Sequence, residues 1–154
     1  MTVFSSESEQ AGIRLSEIVA TGDCDLHLHT HSSDGSDSAA VLVERVLESG
    51  WRAFAITDHD TISGIAPARE ALALQTAGKD PAANPKLIPG VEISVEDGQE
   101  LHLLGYFPYG GESALEPFLV EQREQRQARN EALLLRLAEL GYSIDPGAFA
   151  ESGE

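Results

Sequence analysis

Basic residues are scarce in this sequence. Ten Lys and Arg stand against 26 Asp and Glu, a formal net charge of −16 over 154 residues. The long-range field of such a chain repels nucleic acid and phosphate, which excludes binding of duplex DNA through a basic surface. It leaves room for an anionic substrate only if divalent cations in a cleft reverse the local sign. Cysteine is almost lacking: Cys24 stands alone, so there is no internal disulfide, and it reads as a small buried residue at a strand entrance, not a ligand. No apolar run approaches membrane-spanning length. The N-terminus, residues 1–10, lacks the basic segment and continuous apolar core of a secretory signal, so a cytoplasmic location is expected. The whole sequence, 42% hydrophobic and 23% charged, has the composition of one soluble domain with a sizeable core.

Histidine is also rare, but it is not spread evenly. Three of the five fall in the stretch Asp25-Leu-His-Leu-His-Thr-His-Ser-Ser-Asp-Gly35. Leu26 and Leu28 alternate with Asp25, His27 and His29, the period of a strand, and strict alternation puts the two leucines on one face and both imidazoles on the other. Two imidazoles on one pleat can share a cation, and Asp34, before the turn-forming Gly35, can add a carboxylate to a shell of mixed nitrogen and oxygen ligands.

The chain around this stretch alternates strands with helices. Residues 1–22 open with a Ser/Glu-rich tail and continue through Ile13, Leu15, Ile18 and Val19 toward a short strand or helical turn. After the His-rich strand, Ser36, Asp37 and Ser38 offer N-cap oxygens to a helix through Ala39, Leu42, Val43, Val46 and Leu47 that Gly50 stops. Ala53 to Ile56 is wholly apolar, as in a strand buried on both faces of a parallel sheet, and it ends in Thr57-Asp58-His59-Asp60. A second helix spans Ile65 to Leu74, with Pro67 in its first turn. Val91 to Val95 is a third strand, with Glu92 and Ser94 on one face, and Asp97-Gly98 turns it back through Leu101 to Tyr106, which contains His102. From Ser113 to Leu140 the pattern is helical, one helix or two, with an apolar stripe of Leu133, Leu134, Leu137 and Leu140 and a stop at Gly141. Arg123, Arg126 and Arg129 step along one side. Pairing with Glu121, Glu124 and Glu131 is one role for them; contact of Arg126 or Arg129 with a substrate phosphate is the other.

An alternating pattern of this kind argues for a parallel sheet or barrel with its site at the strand ends. His27, His29, Asp34, His59, Glu92 and His102 all belong to strands or strand ends, a convergent set of metal-ligand types. The hairpin register decides whether the last two meet. A two-residue Asp-Gly loop places His102 opposite Ile93, on the face away from Glu92; a three-residue loop with Gly98 at positive φ as a bulge pairs Val95 with Gln99 and sets His102 across from Glu92. The site chemistry requires the second form, and it is the one expected.

Asp25-Leu-His-x-His-Thr with Ser33-Asp34-Gly35, then Ala55-Ile-Thr-Asp-His-Asp-Thr61 with Gly64, then Pro89-Gly-Val-Glu-Ile-Ser94 resemble the first three motifs of the PHP family, named for polymerase and histidinol phosphatase. The resemblance implies an α/β fold, the N-terminal part of a distorted seven-stranded barrel, with a two- or three-metal phosphoesterase centre. It covers roughly residues 23–107. On this basis residues 1–22 are an N-terminal extension, 23–108 the first half of the barrel, and 109–154 a helical segment opening an inserted subdomain. It implies that His27, His29, Asp34, His59, Glu92 and His102 are metal ligands, with Glu92 bridging two ions and His31 outside the set. The segment from His102 to Phe107 and the Arg-rich helix look most like stand-alone members that hydrolyse nucleoside 3′,5′-bisphosphates and trim short oligonucleotides from the 5′ end. One departure is large: family members carry a later histidine and a closing Asp-x-His pair, and no histidine follows His102 here. A piece of a longer enzyme, nearly inert alone, is the expectation; a natural half-barrel is the alternative.

The implied chemistry is metal-assisted hydrolysis of a phosphate ester by two or three Mn, Zn or Fe ions. Asp58 and Asp60, flanking His59, are expected to accept from its ring and fix its tautomer. Two other readings remain: a C–N amidohydrolase, against which the Thr-Asp-His-Asp cluster and Gly90-Val-Glu92 argue, and a degenerate module that binds metal without turnover.

Overall fold

The computed structural model describes residues 23–96 and 100–144, so the segment with Ile13, Leu15, Ile18 and Val19 and the φ of Gly98 lie outside the described residues. Its frame is a four-stranded sheet in the order β1-β2-β3-β4, formed by Cys24–Leu28 (β1), Ala53–Ile56 (β2), Lys86–Glu96 (β3) and Glu100–Tyr106 (β4). The first three strands run parallel and β4 returns antiparallel to β3. Helices Ala39–Ser49 (α1) and Ile65–Gln75 (α2) make the two crossovers, and Glu116–Glu139 (α3) follows the hairpin. The sheet is curled: the Tyr106 hydroxyl of β4 donates to the Leu26 carbonyl of β1 at 2.9 Å, joining its two edges. This is an α/β fold with a half-barrel sheet; seven strands are not present among the described residues.

Local signals explain the elements. Ser38 accepts from the Val41 N–H at the start of α1, and Gly50 ends it at φ 70°, a left-handed conformation that costs glycine little. α1 buries Ala39, Leu42, Val43 and Val46 against Phe54 and Ile56 of β2 and Ala68 and Ala71 of α2. Ala53, Ala55 and Ile88 form a smaller apolar group on the opposite, concave face of the sheet. All four residues of β2 are buried, as their continuous apolar run requires.

Two expectations fail here, both through register. In β1 the pairing runs Asp25 with Phe54 and then Leu28 with Ile56, so β1 carries one extra residue. This bulge breaks the alternation. Leu26 packs with Ala53, Ala55 and Ile88, whereas Leu28 packs with the α1 and α2 cluster, so the two leucines lie on opposite faces. In the hairpin, Val95 pairs with Leu101 and Ser94 with His102, while Glu92 faces Leu104. The expected pairing of Val95 with Gln99 is therefore displaced by two residues. A slip of two conserves side-chain parity, so His102 stays on the face of Glu92, one diagonal step away.

α3 is one 24-residue helix preceded by a short 3-10 turn, Glu112–Leu115. Glu112 of that turn meets Arg69 of α2 at 2.6 Å. Burial alone would raise its carboxyl pKa, but its own backbone N–H and the Arg69 guanidinium hold it below the ordinary glutamate value. The leucine stripe is not fully buried: Leu133 and Leu140 are 48% and 58% exposed, Leu134 and Leu137 are half-buried, and Leu119 is the buried residue of α3. Accordingly, Phe54→Ala, at a fully buried position, should cost about 3 to 5 kcal/mol, and Leu133→Ala less than about 0.5 kcal/mol. Urea unfolding of this chain with an unchanged m-value is the measurement; a Leu133 loss matching that of Phe54 would place the stripe in the core.

Candidate metal centre

The concave face gathers all six side chains singled out in the sequence. β1 and its following loop supply His27, His29 and Asp34, the loop after β2 supplies His59, β3 supplies Glu92 and β4 supplies His102. Glu92, 4% exposed, is their hub. Its Oε2 lies 2.8 Å from His27 Nε2, 3.0 Å from His29 Nε2 and 3.7 Å from His59 Nε2, and its Oε1 lies 2.6 Å from His102 Nδ1. Asp34 reaches His29 Nδ1 at 2.9 Å and His59 Nε2 at 3.6 Å. Backbone bonds fix His59 beside Glu92: the Asp60 N–H donates to the Glu92 carbonyl and the Glu92 N–H to the Asp58 carbonyl, a one-residue parallel bridge beyond the end of β2.

The donor chemistry fits divalent cations. Three overlapping trios, His27-His29-Glu92, His29-Asp34-His59 and His59-Glu92-His102, each offer ligand atoms within 4.8 Å of one another. His29 faces a carboxylate oxygen from both ring nitrogens. A neutral imidazole has one N–H, so its other lone pair meets an anion unless a proton or a cation intervenes. His59 Nδ1 is buried with no hydrogen-bond partner among the described residues, a situation that in a native structure has a reason. Burial alone would raise the pKa of Glu92; hydrogen bonds from His27 and His102 and the charges of His59 and His27 outweigh it, so the carboxyl sits below its ordinary range. A lowered value means that its contribution is present above the unfolded-state pKa and lost as pH falls through the folded one.

Asp58 and Asp60 do something other than bond the His59 ring. Asp58 Oδ1 accepts from the Thr30 N–H at 2.6 Å and the Ser33 hydroxyl at 2.8 Å, and Oδ2 from the Thr30 hydroxyl at 2.8 Å. It ties down the loop that carries Asp34, and Gly64 makes room for it, since a Cβ there would lie 2.3 Å from Asp58 Oδ2. Asp60, in a left-handed conformation at φ 49°, accepts from the Ser94 N–H at 2.9 Å and pairs with Arg126 of α3. Arg126 also donates to the Ser94 hydroxyl at 2.6 Å, and Arg123 donates to the Asp60 carbonyl at 2.8 Å and pairs with Glu116. Arg126 therefore pairs with Asp60, not with a glutamate of its own helix, and α3 docks beside the centre. Arg129 is exposed one turn further along. His31 lies outside the cluster, its ring on the Ser36 carbonyl.

Sequence reasoning missed Thr30, Ser33 and Tyr106. Thr30 and Ser33 are ordinary loop residues until the fold folds Asp58 over them; Tyr106 carried a usable signal, being four residues from His102 and so on its face of β4. Burial pushes the Tyr106 hydroxyl pKa up, with Asp25 and Glu92 adding to the rise, which keeps it a donor. Because Asp58 holds buried donors, Asp58→Ala should destabilise metal-free protein by about 2 to 4 kcal/mol, with Asp58→Asn milder, in chemical denaturation. A variant with unchanged stability and altered metal binding only would restore the tautomer role.

These geometries agree with what the chain is similar to. It is 40% identical over 114 residues to 5′-3′ exoribonuclease Rnm of Salmonella typhimurium, covering 73% of this chain and 37% of that protein. It is 32% identical over 127 residues to 3′,5′-nucleoside bisphosphate phosphatase of Chromobacterium violaceum, covering 82% and 39%. A solved structure from Bifidobacterium adolescentis, described as a metal-dependent phosphoesterase, superposes with a TM-score of 0.59 at 28% identity over 75% of this chain and 38% of that one. The chain thus spans about two-fifths of the length of these relatives. A family model of the PHP domain matches residues 25–144, which hold every side chain of the centre, and the chain belongs to the PHP domain family.

Proposed function

We propose that the protein is a metal-dependent phosphoesterase that hydrolyses phosphate monoesters or short oligonucleotide ends, with a nucleoside 3′,5′-bisphosphate as the characteristic substrate. The observation that carries this reading is the convergence of four imidazoles and two carboxylates, Glu92 and Asp34, at one place. His27, His29, Asp34, His59, Glu92 and His102 would hold two or three Mn, Zn or Fe ions, which when bound supply a Lewis acid for phosphate oxygens and a water of lowered pKa. Glu92, a member of two trios, has the position to serve two ions at once. Asp58 keeps the Asp34 loop in place. Arg126 gives Nη2 to Asp60 and Ser94; a guanidinium has five N–H donors, so others remain for a phosphate, and Arg129 extends the basic side of α3 by one turn. The relatives named as exoribonuclease and bisphosphate phosphatase support a small phosphorylated substrate, and the net charge of −16 disfavours duplex DNA.

Metal analysis tests the centre: purified protein should carry transition metal, and the double variant His27→Ala, His29→Ala should lose most of it. Equal content in the two would sink the reading. For the reaction, the protein at its full natural length should release phosphate from a nucleoside 3′,5′-bisphosphate in a manganese-dependent way, and Glu92→Gln should abolish release. Turnover of an amide substrate with none of a panel of phosphate esters would favour the amidohydrolase reading instead.

A further inference from the structure

The bulge in β1 leaves one peptide unit in an unusual position. Asp25 has a partner in β2 and so does Leu28, but among the described residues Leu26 and His27 have none. Both polar groups of the peptide joining those two residues are bonded by side chains. The His27 N–H donates to Asp25 Oδ1 at 3.0 Å, and the Leu26 carbonyl accepts from the Tyr106 hydroxyl at 2.9 Å. Asp25 belongs to the same strand. Tyr106 comes from β4, at the other edge of the sheet.

We propose that Asp25 and Tyr106 are positioning residues for His27, clamping the two ends of the Leu26–His27 peptide so that the imidazole of a half-exposed residue is aimed at Glu92. The inference rests on the reading of His27 as a metal ligand and adds two residues that touch no ligand atom themselves. A bulge frees a strand from strict alternation and re-aims a side chain, but it also locally disrupts the ladder that would define the backbone there. Restraint has to come from elsewhere. The peptide plane sets the direction of the His27 Cα–Cβ bond, and with it the place of Nε2, 2.8 Å from Glu92 Oε2. Errors of about 1 Å in such sites cost on the order of a hundredfold. Tyr106 has a second effect: by bonding β1 from β4 it fixes the distance between the strands that carry His27 and His102, which meet opposite oxygens of Glu92.

Cobalt(II) binding and amide exchange on this chain provide the test. Tyr106→Phe keeps the ring and removes only the donor. It should weaken cobalt(II) affinity by about tenfold to a hundredfold and change the visible cobalt spectrum, while Tyr109→Phe, at an 85% exposed position, should change neither. In metal-free protein, Asp25→Ala should speed hydrogen exchange at the His27 amide, and Asp25→Asn, which keeps an acceptor oxygen, should restore most of the protection. Wild-type affinity and spectrum in Tyr106→Phe, or unchanged His27 exchange in Asp25→Ala, would overturn the clamp. A wild-type protein that binds no cobalt would overturn the metal reading, and the exchange measurement would then decide the clamp by itself.

Discussion

A carboxylate withdrawn from water at residue 92 is the constraint on which the rest of this structure depends. A buried anion is costly unless opposite charge or donors surround it, and here four imidazoles do so from three different strands or the loop after one. The fold can be read as the means of bringing them there. β3 places Glu92 in the middle of the sheet's concave face, the parallel bridge to residue 59 extends β2 by one step beyond its regular end, and the curl that brings Tyr106 to Leu26 draws both sheet edges inward. Each ligand set includes residues far apart in the chain, so no single segment can form the site alone. Repulsion between Glu92 and Asp34 is offset only when the shared imidazoles, or cations between them, are in place.

The six side chains that converge on the candidate centre were legible because their chemistry is written in residue type. A chain with few histidines that puts them at strand ends, each near a carboxylate, has few other uses for them. The strands and the first two helices were legible for a related reason: Ala53 to Ile56 is too short and too apolar to be anything but a buried strand, and Ser38 and Gly50 mark α1 at both ends. What escaped was register. A one-residue bulge leaves no trace in the pattern Asp-Leu-His-Leu-His, because the same letters satisfy alternation whether or not the pairing slips. Only the partner strand reveals that Leu26 and Leu28 face apart. The hairpin is the same problem with a different outcome, since a two-residue displacement moves every pair and yet preserves the face of every side chain.

Pairing of charges escaped for a different reason. Spacing along α3 points Arg126 toward glutamates of its own helix, and local sequence cannot say that a stronger acceptor waits on another element. Asp60 is that acceptor. It is buried, at 2% exposure, so its charge requires a partner, and Arg126 of α3 provides one. Surface glutamates lose the competition because they remain hydrated, and an exposed pair gains little.

The arrangement also resolves the apparent conflict between a charge of −16 and the anionic substrate proposed. Arg126, one of the scarce arginines, pairs with the Asp60 carboxylate beside the centre, so that this carboxylate, which is not a candidate ligand, is neutralised, while Arg123 bonds the Asp60 backbone carbonyl and pairs with Glu116. The remaining negative charge at the site, on Asp34 and Glu92, is the charge that would hold cations. Each divalent ion bound there carries two positive charges, so two ions more than cancel the two carboxylates and reverse the local field. The same protein can then repel polyanions at long range and accept one phosphate at short range, which favours a small substrate over a long duplex.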